Sequence, residues 1–406
     1  MSRYFHKIEK VNRWSAQVDK LKITFAIASD FSGLGGLELM LLQYYKYADK
    51  SKYDINIVCL DKGKRNETLN FLNKNGIDKE KIITIKDVDA KFSFLLKNRY
   101  ARKIFYGVAR PIATFLIFVS GTGNILGRHL DSQVVYLFNN EINFYFRKFK
   151  GLVIGHNGMW VINERSISFH LIRIKLLWNR IDGMRLFPQY RKFINKLNRK
   201  YSFVLQNGIE TELYTSPADV KNWEEVRFLF VGRLDYGKGF DLLISAFSSI
   251  PKNINYKLFI VGIGELQSII PVDDERIKYY GRMNREDVAK LYRNSDILVL
   301  PSRWEPYGLV ILEALSCGVG IVVTEKLKGT YDDFEKLSVL RYTRLDHDSI
   351  SKNMQEMAAR INEIRSNHCS VHKLIVEKHD VSKITKLLLD ELNNKYLNFW
   401  KDDSFH

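Results

Sequence analysis

Along this chain the apolar positions come in short runs separated by glycine-rich turns. The first run, Lys22–Ser29, reads Lys-Ile-Thr-Phe-Ala-Ile-Ala-Ser and is rich in β-branched and aromatic residues. A run of that length bounded by turn residues predicts a strand. It opens into Ser32–Glu38, with three glycines, and then into Leu39–Tyr45, a helical stretch. A second run, Ile55–Leu60, follows at the distance a parallel crossover needs. The same order recurs after residue 225. Val226–Val231 predicts a strand, Gly232–Gly239 a turn, Phe240–Ile250 a helix, and Lys257–Val261 a strand ending at Gly262-Ile-Gly264. Further strands are expected at Ile277–Tyr280, Ile297–Leu300 and Gly320–Val323, with helices between them. Continuous rather than alternating apolar runs belong to strands covered on both faces, so the expected class is α/β with parallel sheets.

Each half reads as its own doubly wound, Rossmann-like domain. The expected boundaries are 1–203 for an N-terminal domain, 204–380 for a C-terminal domain, and 381–406 for a terminal segment. The join falls near Leu205–Ile209. Val381–Trp400 has Ile384, Leu387, Leu388, Leu392, Tyr396 and Trp400 at helical spacing, which predicts an amphipathic packing helix, with the N-terminal domain as a candidate surface for it. Open parallel sheets bind ligands beyond the carboxyl ends of their strands. Two such domains facing each other would form a cleft with ligand loops on both walls.

The densest chemistry lies at Pro301–Gly318, Pro-Ser-Arg-Trp-Glu-Pro-Tyr-Gly-Leu-Val-Ile-Leu-Glu-Ala-Leu-Ser-Cys-Gly. A strand ends, a loop carries Glu305, and a helix is expected to begin near Gly308. Eight residues along a helix is just over two turns, which sets Glu305 and Glu313 on a similar side. The amides of Gly308, Leu309 and Val310 at the helix start form a phosphate site. One carboxylate can grip sugar hydroxyls and the other a ribose diol. Alone, two glutamates at this spacing are ordinary exposed helix carboxylates. Upstream, Arg233 and Lys238 sit on the turn Gly-Arg-Leu-Asp-Tyr-Gly-Lys-Gly, where glycine permits close backbone approach and the cations can offset a leaving group's charge.

These motifs resemble the retaining GT-B glycosyltransferases of the group 1 (family 4) type, which carry paired glutamates separated by seven residues. The resemblance covers roughly residues 22–60 and 135–325. It implies that Glu305 and Glu313 are the glutamate pair, and that Arg233 and Lys238 clamp the donor diphosphate. It also implies that Gly264, Arg282 and Met283 lie in donor-side loops, the last two as base contacts. Gly35 and Gly36, in Ser32-Gly-Leu-Gly-Gly36, match the family's glycine loop after the first strand. His156, in Gly155-His-Asn-Gly158, matches its active-site histidine and would hydrogen-bond a donor-sugar hydroxyl. Gln206-Asn-Gly-Ile-Glu210 matches the turn opening the second domain, with Glu210 in place of the usual aspartate. The expected catalytic residues are therefore Glu305, His156, Lys238 and Arg233. The expected donor-binding residues are Gly35, Gly36, Gly264, Arg282, Met283, Gly308, Leu309, Val310 and Glu313. The resemblance implies no metal and no cofactor beyond the nucleotide-sugar substrate. Two departures concern the donor-sugar rim: Gly320 replaces a common proline, and Thr324–Gly329 lacks paired glycines. The glycine turn after the first strand also fits dinucleotide binding, with Asp61 near the end of the second strand as its acid.

Charge sharpens the division between the halves. Residues 1–200 hold 36 Lys and Arg against 16 Asp and Glu, a net of +20, whereas residues 201–406 hold 27 against 30. A basic half attracts anionic lipid, phosphate-bearing acceptors or nucleic acid. Its clusters are Arg99 to Lys103, Arg147 to Lys150, and Arg191 to Lys200. The expected partners are a nucleotide-sugar donor, a glycan or lipid-linked acceptor and an anionic membrane surface. No nucleic-acid motif accompanies the charge, so nucleic acid is not expected. A basic nucleic-acid binder and a non-catalytic sugar-nucleotide binder are the alternatives. Cys59, Cys317 and Cys369 have no metal-ligand spacing and fit a reducing, cytoplasmic setting, and the basic clusters add the expectation of a peripheral place on the inner face of the cell membrane. Ile112–Gly127, the most apolar stretch, is short for a membrane span and reads as buried.

Overall fold

The apolar runs become parallel strands, and the glycine turns become links to the helices that cover them. The computed structural model describes residues 20–32, 35–61, 64–86, 130–139, 142, 145–146, 148–156, 181–197, 199–218 and 223–402. The chain divides into two compact units, one of Met1–Arg185, Asn198–Phe203 and Thr385–His406, the other of Leu186–Leu197 and Val204–Ile384.

The first sheet contains β1 (Leu21–Ile27), β2 (Tyr53–Asp61), β3 (Ile82–Lys86), β4 (Val134–Leu137), β5 (Leu152–His156), β6 (Gly183–Leu186) and β7 (Phe203–Val204). Their order is β3-β2-β1-β4-β5-β6-β7. From β3 to β6 the pairings are parallel, with Ile23 beside Ile55 on one flank and Val134 on the other. Helices α1 (Gly36–Tyr47) and α2 (Arg65–Lys74) follow β1 and β2.

The second sheet contains β8 (Val226–Val231), β9 (Tyr256–Val261), β10 (Ile277–Gly281), β11 (Ile297–Leu300), β12 (Gly320–Thr324) and β13 (Leu340–Thr343), in the order β10-β9-β8-β11-β12-β13, all parallel. Its helices are α3 (Phe240–Ser248), α4 (Arg285–Arg293), α5 (Leu309–Ser316), α6 (Asp332–Lys336), α7 (His347–Ala359), α8 (Ile361–Ser366) and α9 (His368–His379). Both sheets are therefore doubly wound, as the run pattern predicts. The central strands are apolar throughout because both faces are covered: all four residues of β11 and all five of β12 are buried. Each large apolar side chain so covered contributes roughly 1.5–3 kcal/mol.

Two features hold the second sheet's site-bearing strands in place. Asp296, fully buried just ahead of β11, accepts from Arg365 Nε and Nη2 at 2.9 and 3.0 Å and from Trp223 Nε1 at 2.7 Å. On the other side, Gly208 packs so closely that a Cβ there would lie 2.8 Å from Val381 Cα, and Ile209 bridges to Asp380. Helix α10 (Val381–Lys401) follows, and from Thr385 onward it belongs to the first unit. There Tyr53 donates to Asp390 at 2.8 Å, and Tyr201 meets the Phe399 ring edge-on at 5.6 Å.

Among the described residues no helix is long and apolar enough to cross a membrane. The stretch Ile112–Gly127 and the cluster Arg99 to Lys103 lie outside the described residues, as do Arg147, Asn157 and Gly158. The three cysteines are free thiols.

Candidate active site

In the second sheet the strand order reverses between β8 and β11, so the two adjacent strands send their chains off in opposite directions. That break is where an open α/β sheet leaves a crevice for ligand. The loop after β8 carries Lys238 and the loop after β11 carries Glu305, and Lys238 Nζ donates to Glu305 Oε2 at 2.6 Å. The Glu305 side chain is nearly buried, at 6% exposure, and that of Lys238 is partly open, at 22%.

Local sequence dictates this meeting. Asp235 Oδ1 accepts the Lys238 amide at 2.8 Å, which curls the turn. The carbonyl of Gly237 accepts the amides of Arg303 and Trp304 at 2.9 and 3.2 Å, which stitches the two loops together. Gly239 has φ +70° and begins α3, and a Cβ there would sit 2.0 Å from the Pro301 carbonyl oxygen, so only glycine fits. Arg233 is different. Its side chain is 77% exposed and pairs with Asp235 at 3.2 Å, leaving the cation at the surface of the turn.

Helix α5 starts as expected, with Gly308 as its N-cap at φ +80°. The Ile311 amide already closes on the Gly308 carbonyl at 2.9 Å, while the amides of Leu309 and Val310 lie ahead of the helical ladder, where a helix start presents donors to an anion. Tyr331 fixes the entry by donating to the Tyr307 carbonyl at 2.5 Å.

Glu313 sits in the second turn of α5, at 7% exposure, and accepts from Tyr292 at 3.2 Å. Burial holds its carboxyl above the ordinary carboxylate range, against smaller opposing pulls from Arg285 and then the hydroxyls of Tyr292 and Tyr214. Arg285 in turn pairs with Glu210 at 2.7 Å. The structure thus brings Lys238 and Glu305 together and gives Glu313, within α5, a separate set of partners drawn from α4 and from the turn at Tyr214. Gly264 joins the Lys238 turn through the backbone: a Cβ there would lie 2.3 Å from the Leu234 carbonyl oxygen, and Leu266 donates to that oxygen at 2.9 Å. Arg282 and Met283 follow the edge strand β10, two strands from β8; Arg282 is exposed and Met283 packs against the core. The loop Thr324–Gly329 is tied back by Lys326, whose ammonium donates to the Arg303 carbonyl at 2.9 Å.

In the first unit, His156 is the last residue of β5 and is buried. Burial, followed by the charge of Arg185, holds its imidazole well below the ordinary range, so it is neutral. Arg185 donates to Tyr136 at 3.2 Å, and Tyr136 lies 2.7 Å from His156 Nδ1. The Tyr136 hydroxyl thus stands between the Arg185 guanidinium and His156 Nδ1 within the first unit. Gly35 caps α1, its amide donating to Glu38 at 3.0 Å, and Gly36 is the first helical residue. Gly33 and Leu34 of that loop lie outside the described residues, and Asp61 closes β2.

Sequence reading passed over Arg285, Tyr214 and Tyr292. It also passed over Tyr190, whose hydroxyl burial pushes up, with Glu305 adding a smaller push. One signal for Arg285 and Tyr292 was present: they are seven residues apart, two helical turns, and share a face of α4.

Residues 216–378 match the family described as glycosyl transferases group 1. This region is a group 1 glycosyl transferase domain. The chain is 37% identical over 109 residues to an uncharacterized glycosyltransferase of Methanocaldococcus jannaschii, covering 25% of this chain and 27% of that one. It is 30% identical over 133 residues to the lipopolysaccharide glucosyltransferase WaaG of Escherichia coli, 31% of this chain and 34% of WaaG. The matched stretch thus spans about a quarter to a third of these relatives. Over the whole fold, the Anabaena HepE structure in complex with UDP-glucose aligns with a TM-score of 0.64 at 17% identity, covering 92% of this chain and all of that one. The chain has the GT-B fold.

Proposed function

We propose that this protein is a retaining glycosyltransferase that moves a sugar from a nucleotide-diphosphate sugar to a glycan or lipid-linked acceptor, without a metal. The observation that carries the reading is the Lys238–Glu305 pair at the break between β8 and β11, beside the start of α5. An ammonium and the amides at a helix start suit a diphosphate, and a carboxylate beside them suits sugar hydroxyls. HepE is named as a complex with UDP-glucose, so a UDP-sugar is the first donor to try. WaaG is named for lipopolysaccharide, which favours a lipid-linked or polysaccharide acceptor in cell-surface glycan synthesis.

In this reading the bond from the anomeric carbon to the diphosphate breaks with its electron pair passing to phosphate oxygen. Lys238, Arg233 and the amides of Gly308 to Val310 receive that charge. The acceptor oxygen then bonds the same face of the carbon, and its proton goes to a departing phosphate oxygen. Configuration is retained and no protein base is consumed. Glu305 would hold the sugar ring by its hydroxyls. The resemblance to the group 1 type implies no metal, so EDTA is expected to leave turnover intact. The test is transfer from UDP-, GDP- and ADP-sugars with the product anomer read by NMR. Wild type yields a product of the donor's own configuration. An inverted product, or donor turnover unaltered in Lys238→Ala, contradicts the proposal.

A further inference from the structure

We propose that Arg285 and Tyr214 are positioning residues that hold the Glu313 carboxylate, charged and fixed, to receive the ribose diol of a bound nucleotide. This rests on the donor-site reading above and extends it to residues that do not themselves touch the donor.

Glu313 is deeply buried in the middle of α5, where an unpaired carboxylate is costly. Three groups converge on it. Tyr292 donates to Oε2 at 3.2 Å, and the Tyr214 hydroxyl bonds it as well. Arg285 supplies the positive charge, and it also bonds Tyr214. Its guanidinium lies 5.8 Å from the Tyr214 ring centroid. The members also hold one another. Tyr214 and Tyr292 meet edge-on at 6.0 Å, and Glu210 anchors Arg285 at 2.7 Å. Glu210 and Tyr214 belong to one backbone turn, since the Glu210 carbonyl accepts the Tyr214 amide at 3.1 Å. The glutamate that stands where the family has aspartate is thus the partner that fixes Arg285.

A carboxylate offers about four lone-pair sites. The two tyrosines take two, and two remain, as many as a diol has protons. A protonated carboxyl would lose that match. Burial and Glu210 push Glu313 toward the protonated form, and Arg285 opposes them. On the face of α5 turned to α9, His372 bonds Ser316 at 3.0 Å and His368 lies against Gly318, while Cys317 lies near Tyr292. Without Arg285 the Glu313 carboxyl rises further, so nucleotide binding should fail first at low pH and return as pH rises.

The experiment is calorimetric titration of the full chain with UDP between pH 6 and pH 9. GDP and ADP are run if UDP does not bind, and thermal melting checks that each variant is folded. Arg285→Met is expected to weaken binding about tenfold at pH 7, a coupling of ordinary size for a charged buried contact, with the loss shrinking as pH rises. Arg285→Lys keeps most of the affinity. Tyr214→Phe, which preserves the packing, loses a smaller factor and serves if Arg285→Met does not fold. In a Glu313→Gln background, Arg285→Met has no further effect. Wild-type binding with an unchanged constant and pH profile in Arg285→Met and Tyr214→Phe overturns this inference alone, as does a full additional loss on top of Glu313→Gln. No binding of any of the three nucleotides to wild type overturns the donor reading and this inference with it.

Discussion

Lys238 and Glu305 are joined by a charge-assisted bond of 2.6 Å in which the carboxylate is the more buried partner. Removing one partner leaves the other without its counter-charge, and a stranded buried carboxylate is costlier than a stranded, half-open ammonium. The two single variants therefore separate stability from chemistry. Lys238→Ala should lower both the melting temperature and turnover. Glu305→Gln keeps an oxygen to accept from Lys238, so it should melt close to wild type while losing ~10²–10³ in turnover, the usual loss for one transition-state contact. A Glu305→Gln variant with near-normal turnover contradicts the placement of Glu305 on the sugar. These two residues are legible in the sequence because each follows its own strand by a short turn: Val226–Val231 then Lys238, Ile297–Leu300 then Glu305. Arg285, Tyr214 and Tyr292 are not legible in the same way. Their significance comes from Glu313, and Tyr214 is separated from it by almost a hundred positions. Arg233 shows the converse. Its motif is clear, yet only the fold reveals that its side chain rests in solvent against Asp235.

The turns are where sequence and geometry constrain each other most tightly. Gly239 must be glycine for two reasons, its φ of +70° and the Pro301 oxygen 2.0 Å from where a Cβ would lie. Gly239→Ala should therefore cost about 1–2 kcal/mol from the backbone conformation alone. The clash adds to that and pushes the β8 and β11 loops apart, so turnover should fall as well. Gly35→Ala is the contrast: among the described residues its Cβ would meet the flexible Glu38 carboxylate at 2.9 Å and no backbone atom beyond its chain neighbours within 4 Å. Urea unfolding should show a large loss for the first and a small one for the second; equal losses contradict the stitched-turn account. The strands bearing the donor-side loops are legible to within a residue or two, since β8, β9, β10, β11 and β12 are apolar runs bounded by turns. The shorter strands are not. β6 reads Gly-Met-Arg-Leu, and its Arg185 is fully buried only because Tyr44, from α1, and Tyr136, from β4, supply hydroxyls at 2.8 and 3.2 Å. A four-residue strand with a cation in it carries no local signal.

Over the whole chain, two doubly wound sheets explain why the halves look alike in pattern and unlike in charge. The sheets are set by apolar runs, whereas the +20 of residues 1–200 is carried by side chains outside those runs' apolar pattern. Lys200 is one cation from those clusters whose role the fold fixes, since it pairs with Asp402. Stability of the molecule should depend on pH through its buried histidines. His379, whose Nδ1 donates to the Asn207 carbonyl at 3.0 Å, is lowered by burial from 6.5 to about 4. Between those values the unfolded chain takes up a proton that the folded chain refuses, so stability falls as pH drops, by up to ~1.4 kcal/mol per pH unit. His156 acts in the same direction. Urea unfolding at pH 7 and pH 5 should show the loss, and His379→Gln should flatten the slope; an unchanged slope contradicts it. The central claim is that the carboxyl end of the β8–β11 break in the second unit is a diphosphate site. A crystal structure of the protein with UDP tests it most directly. The account predicts phosphate oxygens against Lys238 Nζ and the amides of Leu309 and Val310, with Glu313 on the ribose. UDP bound at any other place, with Lys238 still paired to Glu305 and no phosphate beside them, would contradict it.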